Sequence, residues 1–513
     1  MVCLTCAAAA GGCTPIEAMS TSPVSVFRPA MVLMAGRTLA FVASFAMPIV
    51  LVRFFSQSEF GTYKQLFLIY TTLFAVAQCG LAESLFYFLP KSPSLAGRYV
   101  ANAVLGLAVA GAGCLGLLAL LARPLGLWFH NPALVGYVPL IGVFLLLMLV
   151  SATLEIVMTA RKQHGYAFGS YAVSGILRAA FCIVPAVWVG GLKGLLVGVI
   201  LFAVLRCLAT LLYLRGEYHS GLRVDTAQLK KHLAYALPFA LALLVYTAQS
   251  DLHFYAVSLH FSAATYAIYT VGCLQIPLVD LLMTSTCNVM MVRMREDAEP
   301  AAALAIWRDT TRKLAMVFVP MVAGLLVVAP RLIVTLFTEQ YARSVPIFML
   351  WTLSMLFPVL LTDGALRVYA QNAYLTFVYA IKLVIVGVGV WWFMSAFGLI
   401  GAVLVTLLAA VVAKVVALMR VKRLLRCTLR ELLPWGSLGL ICVLAAVAAV
   451  PAYAVQATLA LPPVMVLVIT VPVYALVYAG LMLGWGPLSR SERRMLFDWA
   501  RRPAARLLQH HSS

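Results

Sequence analysis

Residues 51–63 read LVRFFSQSEFGTY: an apolar run ends at Arg53, a polar turn follows through Ser56, Gln57 and Ser58, and Gly61 and Tyr63 open the next apolar run. A shorter version of this junction, HFSAATY, returns at 260–266. The chain around both is built almost wholly of apolar runs: 64% of its 513 residues are apolar, 11% are charged, and mean hydropathy is +1.00. That composition excludes a soluble globular domain and indicates an all-α, polytopic membrane protein.

A bilayer core about 30 Å thick needs roughly 20 apolar residues per helical crossing. This ruler yields about fourteen spans, near residues 31–53, 65–89, 99–122, 138–160, 169–190, 194–214, 235–258, 264–289, 314–337, 345–369, 374–394, 398–420, 435–455 and 463–484. Lys and Arg accumulate on the cytoplasmic side of membrane proteins. Connections after even-numbered spans are basic, among them YLRGEYHSGLRVDTAQLKKH (213–232) and MRVKRLLRCTLRE (419–431), whereas those after odd-numbered spans are short and nearly uncharged. Roughly 25 basic residues against about 6 put both termini in the cytoplasm. The net charge of +20 therefore reflects topology and anionic lipid, not nucleic acid.

Short patterns recur in order at offsets of about 203 to 210 residues: GLWF (126–129) with VTLF (334–337), TARKQHGYAF (159–168) with YAQNAYLTF (369–377), GLKGLL (191–196) with GLIGAV (398–403). They divide the chain into a disordered cytoplasmic extension (1–30), a six-helix bundle (31–215), a basic cytoplasmic linker (216–234), a second six-helix bundle (235–420), two additional helices (421–485) and a basic cytoplasmic tail (486–513). Two facing bundles suit alternating access. The first segment reads as a floppy extension or as a start placed ahead of Met19 or Met31. The eleven cysteines are scattered, without the two paired CxxC motifs of a zinc site; no metal or cofactor is expected.

The stretch 51–90, the junction DLHFYAVSLHFSAATYAIYT (251–270) and the basic linker resemble the polysaccharide exporter branch of the multidrug, oligosaccharidyl-lipid and polysaccharide (MOP) exporter superfamily, which includes the Wzx-type oligosaccharide flippases. The resemblance implies a MATE-like fold in the inner membrane. It also implies export of undecaprenyl-pyrophosphate-linked oligosaccharide for O-antigen, exopolysaccharide or capsule, with a polysaccharide polymerase as partner and a proton or sodium gradient as drive. A peptidoglycan-precursor flippase and a multidrug antiporter of the same superfamily are the alternatives within transport. A membrane glycosyltransferase or polymerase finds no DxD, HExxH or GxSxG motif in the chain, so no enzyme is expected.

A charge at membrane depth costs about 2.5 to 3.5 kcal/mol on insertion scales and marks a cavity or a partner. Arg178, Arg206 and Lys382 lie mid-span and Arg37 nearer the cytoplasmic end. Guanidinium and ammonium groups match phosphate oxygens, so these four are the candidate substrate-binding residues. Asp251 and Asp280 are the candidate coupling carboxylates, among Glu83, Glu155 and Asp363 also within or beside spans. Trp128, Trp391, Trp435 and Trp485, near span ends, read as interfacial anchors.

Overall fold

A computed structural model describes residues 24–296, 299–489 and 492–494. Among them the chain is all helix, without a strand. The elements are α1 (Val24–Leu51), α2 (Gln57–Ala77), α3 (Leu81–Lys91), α4 (Ala96–Trp128), α5 (Leu134–Val150), α6 (Leu154–Ala160), α7 (His164–Pro185) and α8 (Gly191–Tyr218), followed by α9 (Thr226–His260), α10 (Ala263–Gly272), α11 (Pro277–Glu296), α12 (Pro300–Phe337), α13 (Val345–Thr352), α14 (Thr362–Val368), α15 (Asn372–Phe397) and α16 (Leu399–Leu424); α17 (Leu429–Leu432), α18 (Trp435–Thr458) and α19 (Pro463–Trp485) complete the order.

Each expected span falls on one helix or on a pair separated by a short break, compatible with fourteen crossings. Eleven stretches of the described residues are long and apolar enough to cross a membrane. One of these, His164–Tyr218, turns at Gly190 and Gly191, where φ is +88° and +61°. Residues 24–30, expected in a disordered extension, are the first turns of α1, and residues 1–23 lie outside the described residues. The linker is shorter than its basic sequence: α8 runs to Tyr218 and α9 begins at Thr226. Part of the basic tail also lies outside the described residues.

The opening junction is built by capping. Ser56 accepts from the Glu59 backbone N–H while the Glu59 carboxylate accepts from the Ser56 N–H, a reciprocal arrangement that starts α2 sharply. Ser262 starts α10 with the serine half of that cap, accepting from the Thr265 N–H. The two helix starts meet across the seam between the halves. A Cβ on Gly61 would sit 1.8 Å from the Ala263 carbonyl oxygen, so only glycine allows that approach. Arg53 donates to the Thr335 and Leu336 carbonyls and Gln57 donates to the Gln340 carbonyl, tightening the same end.

The duplication is sharper in the backbone than in the sequence words. Left-handed residues recur 208 positions apart: His130 and Thr338, Lys162 and Ala370, Gly190 and Gly398. The short helices α6 and α14 also start 208 apart, each after a 3-10 break, Ser151–Thr153 in one half and Leu353–Val359 in the other.

The linker docks onto the first half at its start. Asp225 accepts from Arg98 and from the backbone N–H groups of Ala227 and Gln228. The backbone donor of Gln228, then the Arg98 side chain, hold its carboxyl below the usual range. His232 follows, fully buried beside Ser84, with its Nε2 donating to the Leu81 carbonyl at 3.2 Å and the rings of Phe88 and Tyr99 against it.

The last two helices pack against α12. Pro320 lacks the N–H that would pair with the Met316 carbonyl. The Tyr478 hydroxyl donates to that carbonyl at 3.0 Å, and Tyr474 donates to the Pro320 carbonyl at 2.8 Å. The carbonyl that the proline leaves without a donor is thus met by the Tyr478 hydroxyl from another helix.

Candidate functional site

In the first half the cluster centres on Glu155, the second residue of α6 and 4% exposed. Arg206 of α8 grips it through one nitrogen, 2.8 Å from each carboxylate oxygen, and the Ser170 hydroxyl donates to Oε1 at 2.8 Å. Arg206 donates to the Ser174 hydroxyl as well. Next to this pair, Arg37 donates to the Tyr171 hydroxyl at 3.0 Å and lies 5.0 Å over its ring.

Arg178, one turn along α7 from Ser174, differs from both. Among the described residues its guanidinium makes no ion pair or hydrogen bond, and its buried Nε, like that of Arg206, has no partner. The guanidinium lies 5.9 Å from the ring centre of Phe144 and within electrostatic reach of Tyr63 and Tyr70. An arginine walled by aromatics, with donors to spare and no carboxylate bound to it, is equipped to receive an anion.

In the second half, Tyr246, Asp251, Asp363, Tyr379, Lys382 and Lys414 are among the residues lining a cavity of about 340 Å³. This falls at the lower end of the roughly 300 to 1,000 Å³ of small-ligand pockets. Asp363 is the second residue of α14. It accepts from Tyr379 at 2.8 Å and from Thr362 at 3.1 Å, and its Oδ1 lies 3.6 Å from the Lys414 ammonium. Lys414 spends its other donors on the Thr362 hydroxyl and on the Leu360 carbonyl, which also accepts from the Thr362 backbone N–H.

The structure therefore divides the six candidates. Arg37, Arg178 and Arg206 lie together in the first half, and Lys382 and Asp251 line the cavity of the second. Asp251 accepts from Thr72 of the first half at 2.7 Å. Asp280 is exposed and outside the cavity lining, within electrostatic reach of Tyr246. Arg206 is paired with Glu155, an ion pair that ties α8 to α6. Asp363 was read in the sequence only as one of the carboxylates within or beside spans, behind Asp251 and Asp280, and its grouping with Lys414 and Tyr379 was not read. A signal for it exists: Glu155 and Asp363, Arg206 and Lys414, and Tyr171 and Tyr379 are each 208 positions apart.

Among solved structures, the lipid II flippase MurJ in an inward closed conformation matches with TM-score 0.66 at 14% identity, over 88% of this chain and 97% of that one. A multidrug resistance MATE family transporter of the MOP superfamily, in an outward-facing conformation, matches with TM-score 0.57 at 12% identity, over 78% and 95%. A MOP superfamily transporter from Pyrococcus furiosus matches with TM-score 0.54 at 12% identity, over 79% and 96%. At such identities the likeness is one of fold. No curated protein matches the chain by sequence. The family model described as "Polysaccharide biosynthesis protein" matches residues 50–346, more than half of the chain and spanning both junctions from which the duplication was read. This polytopic helical protein, with the fold shared by MOP transporters, belongs to the polysaccharide biosynthesis protein family.

Proposed function

We propose that the chain is a flippase that carries a polyprenyl-pyrophosphate-linked oligosaccharide across the inner membrane by alternating access, with both termini in the cytoplasm. The observation that supports this most is Arg178: a membrane-depth guanidinium with an unpartnered Nε and an aromatic wall, in a half whose neighbouring cations are already engaged. A pyrophosphate headgroup supplies the counter-charge, and its lipid tail stays in the bilayer throughout. Arg37 and Lys382 contribute to the same cationic path; Arg206 positions α6 against α8. Asp251, joined to Thr72 across the halves, is the proposed coupling carboxylate, driven by a proton or sodium gradient.

A cationic drug is a poorer fit, because Glu155 and Asp363 are both already faced by cations. A peptidoglycan precursor shares the pyrophosphate and differs in its sugar. Removal of the protein tests the reading: lipid-linked oligosaccharide accumulates in the cytoplasmic leaflet and surface polysaccharide is lost. Loss of cell-wall synthesis with surface polysaccharide intact would move the assignment to the peptidoglycan precursor.

A further inference from the structure

The halves hold the same acid–base pair 208 residues apart and hold it differently. Glu155 has one arginine nitrogen bridging both of its oxygens and a serine donor, and its side chain is 5% exposed. Asp363 has a lysine at 3.6 Å, and 41% of its side chain is exposed, as part of the wall of the second-half cavity. One substitution within the repeat adds to this contrast. Where the first half places Ser174, hydrogen-bonded to Arg206, the second places Lys382. Lys382 lines the cavity within electrostatic reach of both Asp363 and Lys414. The first pair is a clamp. The second is one carboxylate paired with Lys414, with Lys382 on the same cavity wall, at the edge of a space large enough for a small anion.

We propose that Asp363 is an internal counter-anion that stands in for the phosphate of the lipid headgroup: it neutralises Lys414 and Lys382 while the cavity is empty, is displaced when a pyrophosphate enters between them, and takes up a proton as it is displaced. This deepens the flippase reading and rests on it. A carboxylate that loses its cation to an incoming anion, and then faces that anion's negative charge, is stabilised by protonation. The incoming anion replaces the carboxylate charge, and the bound proton becomes part of the Asp363 carboxylic acid. Tyr379 and Thr362 remain as hydrogen-bond partners of the acid. The charged and titratable groups around Asp363 are Arg367 on its own helix, Tyr379 and Lys382 on α15, Lys414 on α16 and Tyr246 on α9. Asp251 and His253 line the same cavity, and Asp280 acts on Tyr246 from α11.

Calorimetric titration of the purified full-length protein with inorganic pyrophosphate, in buffers of different ionisation enthalpy, reads protons exchanged per anion bound. The wild type is expected to take up about one proton more than Asp363→Asn, a difference in which the pyrophosphate's own protonation cancels. Asp363→Asn binds at least as tightly, and Lys382→Ser, which restores the first-half residue, binds about tenfold more weakly. Asp363→Glu keeps the extra proton and serves if the Asn variant does not fold. Equal proton counts, weaker binding by Asp363→Asn, or no binding by the wild type would overturn the exchange. A polyprenyl pyrophosphate in nanodiscs is expected to compete at lower concentration than inorganic pyrophosphate; the reverse order overturns the link to a lipid headgroup. Export in cells is scored separately. Arg178-dependent export with no proton difference overturns the exchange alone, whereas proton-linked binding in a chain that rescues no export overturns the flippase reading alone.

Discussion

Arg178 and Arg206 occupy neighbouring helices and have opposite fates, so the two substitutions to alanine separate substrate contact from scaffolding. Arg206→Ala leaves Glu155 buried without its cation, and breaking such a pair costs about 3 to 5 kcal/mol. The expected result is a lower melting temperature, partly restored in Arg206→Ala/Glu155→Ala because the stranded charge is gone. Arg178→Ala strands no carboxylate; it is expected to leave melting nearly unchanged and to reduce export of lipid-linked oligosaccharide at least tenfold. A large loss of stability in Arg178→Ala, or full export by it, would remove this residue from the substrate path. The sequence placed both arginines at membrane depth because hydropathy is readable along one dimension. It left their partners undecided because these depend on how α6, α7 and α8 pack side by side.

At the scale of elements, two contacts fix helices that hydropathy alone treats as interchangeable. His232 ties the start of α9 to α3 as a neutral imidazole, and burial pushes its pKa down to about 4 from 6.5. Because the folded state binds the proton less readily than the unfolded chain, the contact contributes fully above about pH 6.5 and is progressively lost as pH falls toward 4. Thermal melting of wild type and His232→Gln across that range is expected to converge at the acid end; parallel profiles would show that the histidine does not titrate against folding. The second contact is Tyr478 on Met316. Tyr478→Phe removes a hydroxyl from a carbonyl that Pro320 leaves without its helical donor, at a cost of about 1 kcal/mol. It should lower the melting temperature measurably, while Tyr453→Phe, at a tyrosine 66% exposed, should not. Pro320 stands in an apolar run where its missing N–H is evident from the sequence alone; the tyrosine that meets the open carbonyl, some 160 residues later, is not.

For the whole molecule, a polytopic all-helical plan and its duplication were legible because each is a pattern along the chain; eleven spanning stretches among the described residues are compatible with the fourteen read. The 208-residue register was blurred by apolar words that recur easily in such a composition, and emerges cleanly only from the left-handed residues and broken helices. Under the proposed alternating access, the Ser56 end of the seam is a moving part. Alternating access requires the halves to separate there and to close again, and closure brings α2 onto α10 through Gly61 with no room for a side chain. Any Cβ at this position must push the helices apart, since the atom it meets is backbone and cannot rotate away. Gly61→Val is therefore expected to hold this end open, and Gly61→Ala to do so less. Spin labels at Ser58 and Glu339, both exposed and on opposite sides of the seam, report the separation in a background without reactive cysteines. The distribution should shift to longer distances in the order Gly, Ala, Val, with export falling in parallel. A Val variant that retains the short distance and full export would show that the seam closes by another contact, and that Gly61 serves only the packing of its own half.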